Sequence, residues 1–393
     1  MAVRFKNTKF DRYDLSMIVL FTTLIIFGYP IVMLPIYHAY QSIMSGLLFC
    51  WGFYVNRHRI MAISPIFLFA LIQPISTLYN GLPMLRLLQS ITSSLMLCNI
   101  FLITFYYISG KSLSEYNEIL KKIVFFYVAI NAFSLISIPP GSEVEYLIGT
   151  KFRTSYMHWL LLVLIMYSGR ISSKNLKPKL ILYLVISFLL LLHIEAGVGL
   201  VGLLIISVLY LLERKDLIDG LLKPRRIPLY VAISFVVFKG IEFVITLDIF
   251  AFIIQNVLGR NLTLTGRLPI YLVVDDIFRL SPVIGHGFRN NMVTNVVGWG
   301  NAQNGIYEIL INLGLIGLVA FAICIFKVTA KKEMDKNVFE LLKPHMVMII
   351  ALTIAAVVEI SFNIFFFLSL AAIYGVTCKH AMLAKKGTFD EHE

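Results

Sequence analysis

The chain has 393 residues, of which 59% are hydrophobic and only 14% charged, roughly half the charged share of an average soluble protein at about 25%. With a mean hydropathy of +0.83, this excludes a soluble globular enzyme, a disordered tail protein and a disulfide-stapled secreted domain, and it disfavours an outer-membrane barrel of alternating polar and apolar strands. The net charge of +12 does not point to nucleic acid, because no long basic stretch is interleaved with exposed aromatics.

In chain order, the segment from Met1 to Asp14 is polar and basic and leads into an apolar run. That is the pattern of a signal anchor, since no small-residue cleavage site follows. Apolar runs between polar breaks predict about twelve membrane spans, near 14–31, 38–55, 60–79, 85–108, 122–139, 154–169, 180–194, 196–212, 228–247, 305–326, 345–362 and 364–378. The seventh and eighth make a hairpin around 195–197, and the last two turn near Asn363. Proline or shortness in the first, third and seventh leaves one pair open to a re-entrant reading. Cys50, Cys98, Cys324 and Cys378 lie far apart inside apolar segments, so neither a disulfide framework nor a metal ribbon is expected. The chain reads as a single all-α polytopic membrane domain over 1–393.

Charge sets the orientation. With the N-terminus inside, most of the 34 basic residues fall in cytoplasmic connections, so both termini are expected in the cytoplasm. Eight do not: Arg86, Lys151, Arg153, Lys239, Arg260, Arg267, Arg279 and Arg289. Apart from Lys239, inside a span, they map to the outer side or its margin, and arginine dominates. Its planar, permanently charged fork binds phosphate bidentately, so an anionic outer ligand is expected. The competing reading pairs these arginines with Asp248, Asp275, Asp276 and Glu143, or with lipid headgroups. Lys239 and Glu242, three apart on one helix, are expected to neutralise each other.

One connection is long. The outer loop over 248–304 is too long and too varied in sequence to be a plain linker. Within it RLPIYLVVDDIFRL, 267–280, predicts an amphipathic helix at the membrane interface, with Leu268, Tyr271, Leu272, Ile277 and Phe278 on one side. Thr265–Gly266 supplies its start and Ser281–Pro282 its end. Gly285, His286, Gly287, Arg289 and a Gly/Asn-rich stretch follow, which require tight turns or a ligand close by.

These residues resemble a known family. Thr265-Gly266-Arg267, SPVIGHG at 281–287, QNGIYEIL at 303–310 and GLIG at 314–317 are similar in order and spacing to motifs of the bacterial O-antigen polymerase (Wzy) and O-antigen ligase superfamily. Those motifs are Ser/Thr-Gly-Arg, Pro-Leu-(Ile/Leu)-Gly-(His/Tyr)-Gly, and His-Asn before a span carrying Gly-Leu-(Ile/Leu)-Gly. The motif match covers roughly 265–317; span count and the large outer loop extend it over the chain. The resemblance implies a GT-C-like, all-helical glycosyltransferase in the bacterial cytoplasmic (inner) membrane. Such an enzyme acts on undecaprenyl-pyrophosphate-linked oligosaccharide at the outer face, by inverting displacement, without metal, nucleotide sugar or other cofactor.

By the same resemblance Arg267 leads the pyrophosphate-binding set. Arg153 follows, because GTKFRTS at 149–155 is similar to the family's Gly-x-Phe stretch, and Arg289 and Arg260 complete it. Two departures stand out. Glu195-Ala196-Gly197 replaces a Ser-Arg-(Thr/Gly) motif, and Gln303 replaces the histidine before Asn304. The base that activates the acceptor hydroxyl must lie within hydrogen-bond reach of it; the candidates are Glu195, His286 and Asp276, in that order. Asn304, Gln303, Glu308 and Trp299 are the candidate sugar contacts. Expected partners are the lipid-linked oligosaccharide, membrane lipids and a chain-length regulator protein, and not nucleic acid. The missing histidine favours a repeat-unit polymerase over a ligase. A flippase or other transporter is the remaining alternative, disfavoured because the two halves show no internal repeat.

Overall fold

The structure, a computed structural model, describes residues 11–24, 35–137, 146–171, 177–213, 218–245, 268–329 and 336–387. Among the described residues the chain is almost entirely helical and holds no strand beyond a one-residue bridge between Tyr146 and Gly149. The helices are α1 (Arg12–Leu24), α2 (Pro35–Val55), α3 (Ile60–Tyr79), α4 (Met84–Gly110), α5 (Leu113–Ser137), α6 (Lys151–Ile171), α7 (Lys177–His193), α8 (Gly197–Glu213), α9 (Ile227–Ile245), α10 (Leu268–Leu280), α11 (Met292–Val297), α12 (Gly305–Thr329), α13 (Lys336–Ala355) and α14 (Ile364–Gly387). Among the described residues four stretches are long and apolar enough to cross a membrane: Met84–Gly110, Leu113–Ser137, Gly305–Thr329 and Val338–Ala355. Shorter apolar helices run over Ser64–Tyr79, Pro178–His193, Gly197–Leu212 and Ile364–Lys379.

Three helices organise the packing. The first is α4, enclosed by α1, α2, α3 and α14. Polar side chains fasten it to its neighbours: Asn99 donates to the Ser45 carbonyl at 2.9 Å, Ser94 to the Ala70 carbonyl at 2.6 Å, and Ser42 pairs with Thr92 at 2.8 Å. Between apolar helices in lipid such bonds hold a specific register where burial of apolar surface does not. The second is α6, packed on α5, α7, α8 and α13. Its Trp159 donates to the Gly199 carbonyl at 2.9 Å and lays its ring on Gly202, where an added Cβ would stand 1.8 Å from the indole. The third is α12, against α3, α9, α10 and α14.

The contacts sort the connections into two ends. At one, Lys111 pairs with Asp11 at 2.5 Å, Lys379 donates to the Lys111 carbonyl at 2.6 Å, Lys343 meets Asp219 at 3.0 Å and Asn117 donates to the Leu341 carbonyl at 3.2 Å. There the Lys111 ammonium holds the Asp11 carboxyl below its ordinary range. At the other end lie the α3–α4 turn, the start of α6, the α7–α8 turn, the loop after α10 and the α13–α14 turn.

Two local expectations are corrected. The packed face of α10 is Ile270, Tyr271, Val274 and Ile277, each at most 2% exposed, while Leu272 is 60% exposed. A turn of 3.6 residues aligns Leu272 with Asp276 and Arg279 on the outer side. Lys239 reaches Asp275 of α10 at 2.6 Å and stands over the Tyr307 ring at 4.9 Å, so its partner lies across the helix interface; the Glu242 side chain is outside the described residues. Burial pushes the Asp275 carboxyl up, but hydrogen bonds from Lys239 and Tyr307 outweigh it and bring it down. This knot ties α10 to α9 and α12. Lys239→Met is expected to raise hydrogen exchange across 268–280 by at least about tenfold, equivalent to roughly 1.4 kcal/mol of local stability; unchanged exchange would show that the apolar face alone holds the helix.

Candidate functional site

The site is built on a break in α12. Gly314 has φ 64° and ψ −164°, a conformation open essentially to glycine alone, and it interrupts the helical hydrogen-bond ladder. The loop after α10 supplies the lost partners. The backbone N–H groups of His286 and Gly287 donate to the carbonyls of Ile311 at 2.7 Å and Asn312 at 2.9 Å; those of Leu315 and Ile316 donate to the carbonyls of Pro282 at 2.8 Å and Val283 at 3.1 Å. Irregular backbone within an apolar bundle persists only with such compensation. The approach is close: a Cβ at Gly285 would lie 2.5 Å from the Asn312 carbonyl carbon, and one at Gly314 would lie 2.3 Å from the Val283 oxygen. The two Gly-containing motifs are thus the two halves of one joint.

The end of α3 clamps this joint. Ser76 Oγ lies 2.7 Å from the Ile284 carbonyl and 2.9 Å from that of Asn312; Asn80 donates to the Gly285 carbonyl at 2.9 Å; and Thr77 Oγ1 accepts from the Phe288 N–H at 3.0 Å. Ser76 is fully buried. Removing its hydroxyl leaves carbonyls short of a donor, so Ser76→Ala is expected to cost about 1–3 kcal/mol, read as a lowered thermal midpoint in detergent. An unchanged midpoint would mean the clamp is redundant.

The clamp positions Arg289, the residue after Phe288, with φ 51°. Arg289 is exposed to solvent, on a loop packed against the ends of α3 and α12. Desolvation by the surrounding protein, first, and the charges of Arg86 and Arg153, second, lower its pKa from the usual guanidinium value, while Tyr37 and Glu308 act in the opposite sense. Arg86 stands in the first turn of α4, beside Leu82, which packs under Gly287. Arg153 stands in the first turn of α6 with its side chain across Gly149, whose added Cβ would meet it at 2.9 Å. The charges of Arg86 on α4 and Arg153 on α6 are thus felt at Arg289 on the loop after α10.

Glu308, in the first turn of α12, is half-buried. Its Oε1 accepts from Asn312 Nδ2 at 2.8 Å and its Oε2 from the Ala302 N–H at 3.1 Å; Asn290 in turn donates to Asn312 Oδ1 at 2.7 Å. Gln303 is 7% exposed, has φ 50°, donates through Nε2 to Asn301 at 2.8 Å, and keeps a buried Oε1 with no hydrogen-bond partner among the described residues.

Of the residues singled out in the sequence, Arg153 and Glu308 are those whose charges are felt at Arg289, and Gln303 follows Ala302, whose N–H donates to Glu308. Asn304 serves mainly as a structural residue: Oδ1 caps α12 through the N–H groups of Ile306 at 3.0 Å and Tyr307 at 2.9 Å, and Nδ2 donates to the Val357 carbonyl at 3.1 Å. That uses three of the four hydrogen bonds its amide can make. His286 Nε2 lies 2.9 Å from the Ile277 carbonyl; a carbonyl only accepts, so this nitrogen carries the proton and the ring latches the loop to α10. Asp276 faces solvent, paired with Arg279 at 3.5 Å. Glu195 is exposed at the α7–α8 turn with φ 53°, and its charge reaches the buried Tyr146 and, after burial itself, raises that phenol. Trp299 is 38% exposed, its carbonyl held by Thr294 at 3.1 Å. Arg260 and Arg267 lie outside the described residues.

Sequence reasoning placed Arg86 only within the group of basic residues expected to meet an anion, and gave no role to Ser76, Asn80 or Asn312. The signal for the first was its charge on the outer margin; for the next two it was the polar run STLYN closing an apolar span. Compared with known protein families and with characterised proteins, the chain matches none.

Proposed function

We propose that the chain is a glycosyltransferase of the bacterial cytoplasmic membrane with about twelve spans, a GT-C-like arrangement and both termini in the cytoplasm. On this reading it is a polymerase that transfers a growing glycan from undecaprenyl pyrophosphate to a lipid-linked repeat unit at the outer face, with inversion. What carries the reading is the placement of Arg86, Arg153 and Arg289 at one end of an apolar helical bundle, where the charges of the first two are felt at the third. Three guanidinium groups so placed repel one another, and an anion carrying several charges relieves that repulsion. Pyrophosphate on a lipid tail fits the placement, because its charge sits at the bundle end while the tail stays in the apolar phase.

The chemistry follows. Breaking the bond from the anomeric carbon to pyrophosphate leaves negative charge on the departing oxygen. Preorganised guanidinium groups stabilise that charge by a few kcal/mol each where water is excluded. Arg267 and Arg260, which lie outside the described residues, are added to this proposal from the sequence alone. The predominance of basic residues in the connections of the opposite end supports a cytoplasmic placement for it. Gln303 in place of histidine supports polymerase over ligase, and the arginines at a bundle end fit transport less well than a site at mid-membrane would.

The test is to reconstitute the purified protein in liposomes with a polyprenyl-pyrophosphate-linked oligosaccharide alone. The expected result is a ladder of longer lipid-linked glycans. Protected movement of the substrate across the bilayer, with no ladder, would make the protein a flippase.

A further inference from the structure

We infer that Glu308 is the general base of the transfer reaction, taking the proton from the acceptor sugar hydroxyl while Gln303 Oε1 holds the same sugar. This inference rests on the glycosyltransferase reading and adds to it the identity of the group that activates the acceptor. Four observations lead to it.

First, position: Glu308 is joined through Asn312 at 2.8 Å to Asn290 at 2.7 Å, the residue after Arg289, so it stands beside the loop that carries the clamp. Asp276 is turned to solvent in an ion pair with Arg279, and the His286 ring is engaged with the Ile277 carbonyl. Second, orientation: a hydrogen bond to each oxygen, from the Asn312 amide and the Ala302 N–H, fixes the plane of the carboxylate. Third, capacity: an ionised carboxylate has about four acceptor sites and these bonds use two, so each oxygen can still accept a hydroxyl proton. Fourth, Gln303 Oε1 is buried without a partner, and its residue lies beside Ala302, the donor to Glu308. A buried carbonyl without a donor costs free energy, and a sugar hydroxyl entering next to Glu308 supplies one.

The step balances. The acceptor O–H gives its proton to a Glu308 oxygen, and its lone pair forms the new bond to the donor's anomeric carbon. The bond from that carbon to the pyrophosphate oxygen breaks, and its electron pair leaves with polyprenyl pyrophosphate toward Arg86, Arg153 and Arg289. The protonated Glu308 returns its proton to water. Attack occurs on the face opposite the leaving group and inverts the anomeric centre. The Asn312 that orients Glu308 is also the residue whose carbonyl receives the loop N–H of Gly287, so the joint at Gly314 holds base and clamp in register.

The experiment compares wild type with Glu308→Gln and Glu308→Ala in the ladder assay, using a purified lipid-linked oligosaccharide as probe and following rate against pH. The expected result is a loss of about a hundredfold or more in Glu308→Gln, the usual contribution of a general base. Binding of the lipid-linked donor stays within a few-fold, and the acid limb of the wild-type profile is lost from the residual activity. Added formate or azide partly restores Glu308→Ala. A Glu308→Gln enzyme that extends glycans at near wild-type rate would overturn the assignment while leaving the polymerase reading intact. So would a slow Glu308→Gln enzyme that keeps the acid limb, with no rescue of Glu308→Ala; that combination belongs to a residue that only holds the loop. Absence of any ladder from wild type would overturn the polymerase reading and this assignment with it.

Discussion

Replacing Arg289 by lysine is expected to lower glycan elongation about a hundredfold while folded protein is recovered in wild-type amount. The substitution keeps a positive charge and an unbranched stem, so it adds no strain at φ 51°. What it removes is the planar fork that binds two phosphate oxygens at once. Loss of one preorganised donor to a developing negative charge costs roughly a factor of 10² to 10³ in turnover. The effect should appear in the initial rate of ladder formation, with a smaller change in donor binding, because ground-state binding is shared with Arg86 and Arg153. A lysine variant that elongates at the wild-type rate would reduce Arg289 to a loop charge and remove the main support for the clamp.

Gly314→Ala is expected to abolish elongation by dismantling the site's foundation. The backbone there has φ 64° and ψ −164°, and holding a residue with a side chain in such a region costs of order 1–3 kcal/mol. The added Cβ would also stand 2.3 Å from the Val283 oxygen, so the segment over 282–287 must move away. That would break four backbone hydrogen bonds between loop and helix and release the residue that precedes Arg289. The thermal midpoint should fall, and hydrogen exchange over 281–290 should rise sharply. Gly46→Ala serves as the control, because a Cβ there meets nothing within 4 Å; it should be neutral or slightly stabilising in a helix. Equal behaviour of the two variants would mean that the joint does not support the site.

The helical character was legible in the sequence because continuous apolar runs of span length admit few alternatives. An amphipathic helix in the outer loop was legible for the same reason: Asp275, Asp276 and Arg279 interrupt an otherwise apolar run. The direction of its packed face was not, since Leu272 and Val274 are equally apolar and only the contact with α12 decides between them. Lys239 shows the limit of local rules. Glu242 is a suitable partner at i+3, but Asp275 arrives from a helix 36 residues away.

The site was legible in composition and less so in detail. The arginines outside the predicted cytoplasmic connections led to the expectation of an anionic ligand, but the sequence does not show that the α3 end grips the loop carrying Arg289 through Ser76, Thr77 and Asn80. No spacing rule connects residues some 200 positions apart. Asn304 was expected to contact sugar, but its side-chain oxygen caps α12 instead, a role favoured for asparagine ahead of a helix. Glu308 was expected to contact sugar and Glu195 to act as base, because the sequence does not show that Glu308 is joined through Asn312 to the loop carrying Arg289.

The most direct test of the account is an equilibrium titration of the purified protein with polyprenyl pyrophosphate, alongside polyprenyl monophosphate and inorganic pyrophosphate as competitors. Saturable, salt-sensitive binding is expected that prefers the pyrophosphate lipid, is competed by inorganic pyrophosphate, and is lost when Arg153 and Arg289 are both changed to glutamine. Binding that ignores the second phosphate, or survives loss of both arginines, would contradict it.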